Sequence, residues 1–197
     1  SSEVMTEFYR RLGHEMKLIP LPGKRSIVEA NKGNVDGELI RIKLSEKLLP
    51  NLTRIPTSID SIRVVAITRP DGAEINSLAD LAGRKIGAIH GLQLTDRIVQ
   101  GLPHQSVDSI DSLFKILVVG RVDVILFPEL DAKYYMKNHA LGDKVTIHTP
   151  PILEVSLYHF INKSKPTLIK DMSELLAKLK ETGELEAITL KAKQTHD

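Results

Sequence analysis

The sequence has no cysteine and no tryptophan. The first absence removes disulfides, thiolate metal sites and cysteine nucleophiles together. Neither charge is in excess: 27 basic residues face 25 acidic ones, a net +2. That balance gives no general pull toward nucleic acid or an anionic membrane, and aromatic residues amount to only 4% of the chain. The longest apolar runs, VVAI and ILVV, fall far short of the ~20 residues that span a bilayer, so the chain is not expected to be membrane-inserted. The seven histidines are scattered, without a His-x-x-x-His or similar pair, and no Walker-type phosphate loop is present. No metal and no cofactor is therefore expected. No serine or cysteine nucleophile motif accompanies His90, so it is not nominated as a catalytic base.

What remains is a globular composition. The 197 residues are 42% hydrophobic and 26% charged, enough for a real core in one large or two small domains. The opening SSEVMTEFYRRLG reads as helix rather than leader, with Val4, Phe8, Arg11 and Leu12 in a stripe and Gly13 as its stop. EMKLIPL reads as a short strand ended by Pro20 and Pro22. A helix follows from Arg25 to Lys32, with Gly33 as its left-handed cap, and VDGELIRI is the next strand. IRVVAITR has a β-branched run without alternation, as expected of a strand buried on both faces. SLADLAG is a short helix capped by Ser77 and Asp80. RKIGAIHG is a strand, and LTDRIVQGL begins a helix. Asp108 or Asp111 is the expected cap of the helix SLFKILVV, and VDVILF is a strand. ELDAKYYMKNH is a helix with Leu130, Tyr134 and Met136 apolar. KVTIHT and VSLYHFINK close the strands, and Met172, Leu175, Leu176 and Leu179 mark a core-facing helix broken at Gly183.

One unit recurs. GNVDGELIRI (Gly33 to Ile42) and GRVDVILFPE (Gly120 to Glu129) each follow a helix-like segment and each open Gly-x-Val-Asp before an apolar run. The glycine relieves a left-handed position, and Asp36 and Asp123 are expected to accept backbone hydrogen bonds in the turn. Strands alternate with helices almost throughout, which argues for open α/β sheets, and the repeat argues for two similar lobes. In such sheets ligands meet the carboxyl ends of strands.

Four stretches in this order, LPGKRSIVEANKGNVDGEL, SLADLAGRKIGAIHG, LFKILVVGRVDVIL and FINKSKPTLIKDMSELLAKLKETGELEAI, resemble the type II periplasmic solute-binding proteins, specifically the family 3 group of bacterial extracellular receptors. The resemblance implies a two-lobed α/β fold, each lobe an open mixed sheet flanked by helices. It places lobe one at residues 1–65 plus 159–197 and lobe two at 66–158, with crossing strands near IRVVAIT and VSLYHFI and a ligand cleft between lobes that close by hinge motion. It implies a periplasmic protein that hands a small polar or anionic solute, amino acids among the candidates, to the membrane permease of an ABC importer. The family's usual first strand is not seen ahead of the opening helix: either it lies upstream of this sequence or lobe one lacks it, and a lobe without it has an unpaired edge or a slot for another chain. Lys47 is the closest match to the arginine with which amino-acid binders hold the α-carboxylate, with Arg41 nearby. Pro128 stands where they carry an aspartate for the amino group, with Glu129 next to it.

The residues themselves suggest contacts, each with a plainer alternative. Arg41, at a strand end, can grip a carboxylate with its planar fork or simply be solvated. Glu38, inside a strand, is costly unless it pairs or faces a cleft. Arg25 sits at a helix start, where the dipole disfavours a cation, so a functional or packing role competes with simple exposure. In GAIHGLQLTDRI the backbone N–H groups of a helix start favour an anion, with His90, Gln93 and Thr95 as added donors; alternatively Thr95 only caps that helix. Phe127 packs on a ligand or on its own core, Glu129 lies on the same rim, and Tyr158 and His159 approach the hinge. Competing functions are the ligand-sensing ectodomain of a signalling protein, a cleft enzyme such as a dehydratase using Glu38 with His90, and the effector domain of a LysR-type regulator.

Overall fold

The computed structural model describes residues 2–194, with the backbone alone for Leu44, Gln93, Lys193 and Gln194. In chain order the elements begin with α1 (Ser2–Arg11), α2 (Gly23–Lys32), β1 (Gly37–Ile42), a 3-10 turn (Lys43–Leu48), β2 (Leu52–Arg54) and β3 (Asp60–Thr68). A second 3-10 turn (Leu78–Leu81), β4 (Ile86–Ile89), α3 (Gln93–Val99), β5 (His104–Val107), α4 (Ile110–Val118) and β6 (Val124–Pro128) follow. The chain continues with α5 (Glu129–Asn138), β7 (Thr146–Ile147), β8 (Leu153–Asn162), α6 (Pro166–Glu181) and α7 (Glu184–Gln194). Two compact units result: unit 1 takes the residues up to Ser61 and those from Ser156 onward, and unit 2 is Ile62–Val155. The chain passes from one unit to the other twice, within β3 and within β8.

In unit 1, β8 carries β1 on one edge and β2 on the other, both antiparallel. Glu38 and Arg54 accordingly both stand opposite Phe160. A bulge between Glu38 and Arg41 lets Leu39 and Ile40 of β1 oppose the single residue His159 of β8. On one face Val4, Met5 and Phe8 of α1 bury against Ile161, Met172, Leu176, Leu179 and Leu185. On the other, Ala30 of α2 packs with Leu49, Leu52 and Phe160. α2 ends as its composition dictates: Gly33 takes φ +77°, its N–H reaches Ala30 O, and Asn34 N–H reaches Glu29 O.

Unit 2 is an open mixed sheet. β6 is antiparallel to β3 and parallel to β4, and β4 is parallel to β5. β7 pairs the other edge of β3. One face holds Val65, Ile67, Leu113, Phe114, Leu117, Ile125 and Phe127, and the other Val64, Ala66, Ile75, Leu81, Ile86, Val124 and Leu126. β3 and β6 are thus apolar on both sides, the physical reason their runs do not alternate.

The recurring Gly-x-Val-Asp unit stitches strands in both places, by different groups. Gly33 and Gly120 both sit at positive φ, +77° and +75°. In unit 2 the Asp123 carboxylate accepts the Lys85 N–H at 2.8 Å while its own N–H donates to Lys85 O at 2.8 Å. In unit 1 the Asp36 carbonyl accepts Asn162 N–H at 2.8 Å, and its carboxylate pairs with Lys165 at 3.0 Å.

Several local expectations are corrected. EMKLIPL forms no strand: among the described residues nothing pairs with it, and Leu18 and Ile19 lie exposed. Pro20 within it and Pro22 just after it remove donors that a ladder needs. The cap of α4 is Ser109, which accepts the Ser112 N–H, rather than Asp108 or Asp111; Asp111 instead accepts the Tyr135 hydroxyl at 2.5 Å. On α5, Leu130 and Tyr134 face solvent, and Ala132, Tyr135 and Met136 pack inward. KVTIHT contracts to the two residues of β7.

Candidate functional site

On the α2 face of the unit 1 sheet, Ser26, Glu38 and Arg41 come together. Glu38 is 5% exposed, yet both carboxylate oxygens are engaged. Oε1 accepts the Ser26 hydroxyl at 2.5 Å, and Oε2 accepts Arg41 Nε at 2.9 Å and pairs with Nη2 at 2.9 Å. The bulge makes this contact possible, since residues three apart in a regular strand point to opposite faces. Arg25 is exposed near the start of α2, and Lys47 is exposed on the 3-10 turn after β1. Neither reaches Glu38 in the described contacts.

Beneath β1 lies a buried histidine. His159 Nδ1 sits 2.9 Å from the Glu38 and Leu39 carbonyls, and Nε2 sits 2.8 Å from the Tyr9 hydroxyl. Burial pushes its pKa down to about 4, against the opposing pull of the two carbonyls. The ring is therefore neutral at pH 7, with Nδ1–H donating to carbonyl and Nε2 accepting from Tyr9. Burial, with the Asp36 charge second, pushes the Tyr9 phenol up to about 12, so its proton stays in place. The group pins α1 to the sheet.

In unit 2 the nominated residues do not form one cluster. His90 is exposed in the turn after β4, and its N–H donates to Val107 O at 2.8 Å. Gln93 opens α3, and its side chain lies outside the described residues. Thr95 is fully buried and its hydroxyl donates to Leu92 O at 3.0 Å, inside the first turn of α3. Phe127 meets Phe114 edge-on at 6.5 Å and belongs to the unit 2 core. Glu129, 7% exposed at the β6–α5 junction, pairs with Lys133 at 2.6 Å and with Arg63 at 3.2 Å. Glu38 and His90, the pair a cleft enzyme would need, belong to different units, and both Glu38 oxygens are already engaged.

Sequence reasoning missed three participants. Ser26 is twelve residues from Glu38, with nothing local to link them. Arg63 signals itself only as the lone charge inside an apolar β run. Arg54 lies over the Tyr158 ring, 4.4 Å from its centroid, and pairs with Glu46. A polar cavity of about 210 Å³, lined by Thr68, Arg69, Asp71, Arg84 and Asp123, lies at the amino ends of β4 and β6. That is the opposite end of those strands from His90 and Glu129. Among the described residues no group of three His, Cys, Asp or Glu side chains is placed to hold a metal, and no helix is long and apolar enough to cross a membrane.

The fold is periplasmic-binding-protein-like. A histidine kinase sensor domain similar to periplasmic binding proteins superposes with a TM-score of 0.72 at 19% identity, over 96% of this chain and 83% of that one. An amino acid ABC transporter substrate-binding protein, AbpA from Streptococcus pneumoniae, bound to L-arginine, superposes with a TM-score of 0.66 at 22% identity, over 98% of this chain and 82% of that one. In sequence, the chain is similar to the L-cystine-binding protein TcyJ of Escherichia coli (strain K12). The two are 22% identical over 193 residues, covering 96% of this chain and 71% of the relative. No protein-family model matches the chain.

Proposed function

We propose that the protein is a non-enzymatic solute receptor of the periplasm, whose two compact units are the lobes of a hinged receptor delivering a small polar or anionic solute to an ABC importer. The observation that carries this reading is the sequence similarity to an L-cystine-binding protein along 96% of the chain. Amino acids are accordingly the first ligand class to test. The passage of the chain between units through two strands supports it, because paired strands give few residues over which a hinge motion must be absorbed. Mixed charge near the end of β1, with Arg41 beside the buried Glu38 carboxylate, suits a zwitterion better than an apolar ligand.

A thermal-shift panel of L-cystine, L-arginine, other amino acids, small carboxylates, polyamines and oligosaccharides tests the reading. A ligand present at 100 times its Kd is expected to stabilise the protein by about 2.7 kcal/mol. Absence of any shift across the panel would overturn it. A second reading, the sensory ectodomain of a signalling protein, is favoured by the fit to the sensor domain. Fractionation of cells expressing the full-length gene separates the two: a free receptor is released with the periplasmic contents, and an ectodomain sediments with membranes.

A further inference from the structure

Where β3 finishes and β4 and β6 begin, Thr68, Arg69, Asp71, Arg84 and Asp123 line the cavity of about 210 Å³. A water molecule claims about 30 Å³ of liquid, so the space suits a solute of about seven heavy atoms or fewer. Its polar groups are held in place yet incompletely used. Arg69 gives Nη1 to Leu117 O at 3.0 Å and to Val122 O at 2.9 Å, which fixes the guanidinium, while Nη2 has no partner among the described residues. Its Nε lies 3.8 Å from Asp71, whose side chain is 86% exposed, a loose pair of little strength. The half-buried Arg84 side chain makes no hydrogen bond or ion pair among the described residues. Asp80, which feels its charge, is already bound to the Asn76 and Ser77 N–H groups. Asp123 accepts the Lys85 N–H through Oδ2 at 2.8 Å, and Oδ1 accepts from nothing described. The Thr68 hydroxyl is engaged by Arg69 O and His148 Nε2, each at 2.8 Å. No buried side-chain N or O among the described residues lacks a partner, so the unused Arg69, Arg84 and Asp123 atoms open onto accessible space.

We propose that this end of unit 2 is an accessory site for a small oxyanion that carries its own hydrogen-bond donor, its oxygens held by Arg69 and Arg84 and its donor by Asp123 Oδ1. The inference goes beyond the receptor reading and does not depend on it, since every lining residue belongs to Ile62–Val155. Two guanidiniums favour an anion with several oxygens, which they take in directed N–H contacts. A bare anion is repelled by the Asp123 carboxylate. One with an O–H or N–H group makes that carboxylate its acceptor instead. Hydrogen phosphate and glycolate have the required donor; sulfate and acetate are their counterparts without it.

Backbone-amide NMR of the isotope-labelled protein, titrated at neutral pH and constant ionic strength with phosphate, sulfate, glycolate and acetate in turn, tests the site. Phosphate and glycolate are expected to shift the amides of Gly72, Ala73, Arg84 and Lys85, which line the cavity or bind Asp123. Each is expected to bind with a Kd on the order of millimolar, roughly 10-fold tighter than its counterpart without a donor. Arg84→Ala raises Kd for both roughly 10-fold or more. It keeps the ligand-free melting temperature, because no hydrogen bond or ion pair is lost. Asp123→Asn keeps an oxygen for the Lys85 N–H and turns its NH₂ toward the solute, so the order reverses and sulfate and acetate bind the better. A merely structural Asp123 would weaken all four alike. Should Asp123→Asn fail to fold, Arg84→Ala and the paired anions on the wild type still decide. Shifts confined to amides elsewhere in the chain, equal binding within both pairs, or unchanged affinity in Arg84→Ala would overturn the site. So would the absence of shifts with all four probes at their highest soluble concentration. None of these outcomes touches the receptor reading, which the thermal-shift panel decides.

Discussion

Gly37→Ala is expected to destabilise the protein by about 3 kcal/mol, far beyond what loss of a glycine usually entails. Gly37 opens β1 opposite Ile161. A Cβ built there runs into the Phe160 carbonyl oxygen, with Phe160 C at 3.2 Å and Ile161 Cα at 3.3 Å behind it. All three obstacles are backbone of β8, which also carries β2, so relief requires moving a paired strand. Gly87 offers the comparison. Its added Cβ meets Ile125 Cγ2 at 2.9 Å, Val122 Cγ2 at 3.2 Å and Ile116 Cδ1 at 3.3 Å, all side-chain atoms. These can turn or shift, so Gly87→Ala should cost about 1 kcal/mol, at the low end of overpacking. Gly142 has nothing within 4 Å of the added atom, and Gly142→Ala should change stability by less than about 0.5 kcal/mol. Urea unfolding followed by circular dichroism gives all three values. A cost for Gly37→Ala no greater than that for Gly87→Ala would show that β1 and β8 separate easily.

The second large effect is acid sensitivity centred on His159. Its pKa falls from the ordinary value of 6.5 to about 4 on folding. Between those values the unfolded chain binds a proton that the folded protein refuses, so stability is whole above about pH 6.5 and is lost as pH falls toward 4. The full span corresponds to on the order of 3 kcal/mol. Exposed Glu7, held down to about 2 by Arg10 and Arg11, adds its own loss only as pH falls below its ordinary value of 4.5, at the low edge of this window. Melting temperature measured from pH 7 to 4 is expected to fall for the wild type and to flatten in His159→Gln, which retains a donor and an acceptor without a titrating ring. Tyr9→Phe leaves Nε2 buried without its donor and should lower stability at pH 7 by about 1–3 kcal/mol. An identical slope for wild type and His159→Gln would assign the acid loss to other groups.

Much of the helical framework is legible in the sequence, because its signals are local. Gly33 and Gly183 both take positive φ at +77° and +75° where the chain must leave a helix, and Met172, Leu176 and Leu179 bury as their spacing requires. β2 and β5 are not legible: three and four residues, LTR and HQSV, leave no period to read. EMKLIPL misleads because apolar extended sequence is necessary for a strand but a neighbour is also required. The site divides along the same line. Glu38 with Arg41 is visible as a pair of charges in one short run. Arg54 and Tyr158 join them only through register across β8, and Ser26 only through the packing of α2 on the sheet, neither of which a local pattern encodes. Thr95 and Phe127 illustrate the converse: position at an element's end is readable, but whether the side chain turns outward or into the core depends on neighbours distant in sequence.

The discontinuity of unit 1 bears on how the protein is made. Unit 2 is a single uninterrupted stretch, Ile62–Val155, whereas unit 1 is assembled from both sides of it. Val4, Met5 and Phe8 share their buried cluster with Met172, Leu176, Leu179 and Leu185, all from beyond unit 2. Along the chain unit 2 has its whole core in hand before α6 is reached, while α1, which lies ahead of unit 2, must wait with its greasy side uncovered. Domains fold as units and exposed apolar surface invites misassembly, so α1 stays open to wrong partners until α6 and α7 join it.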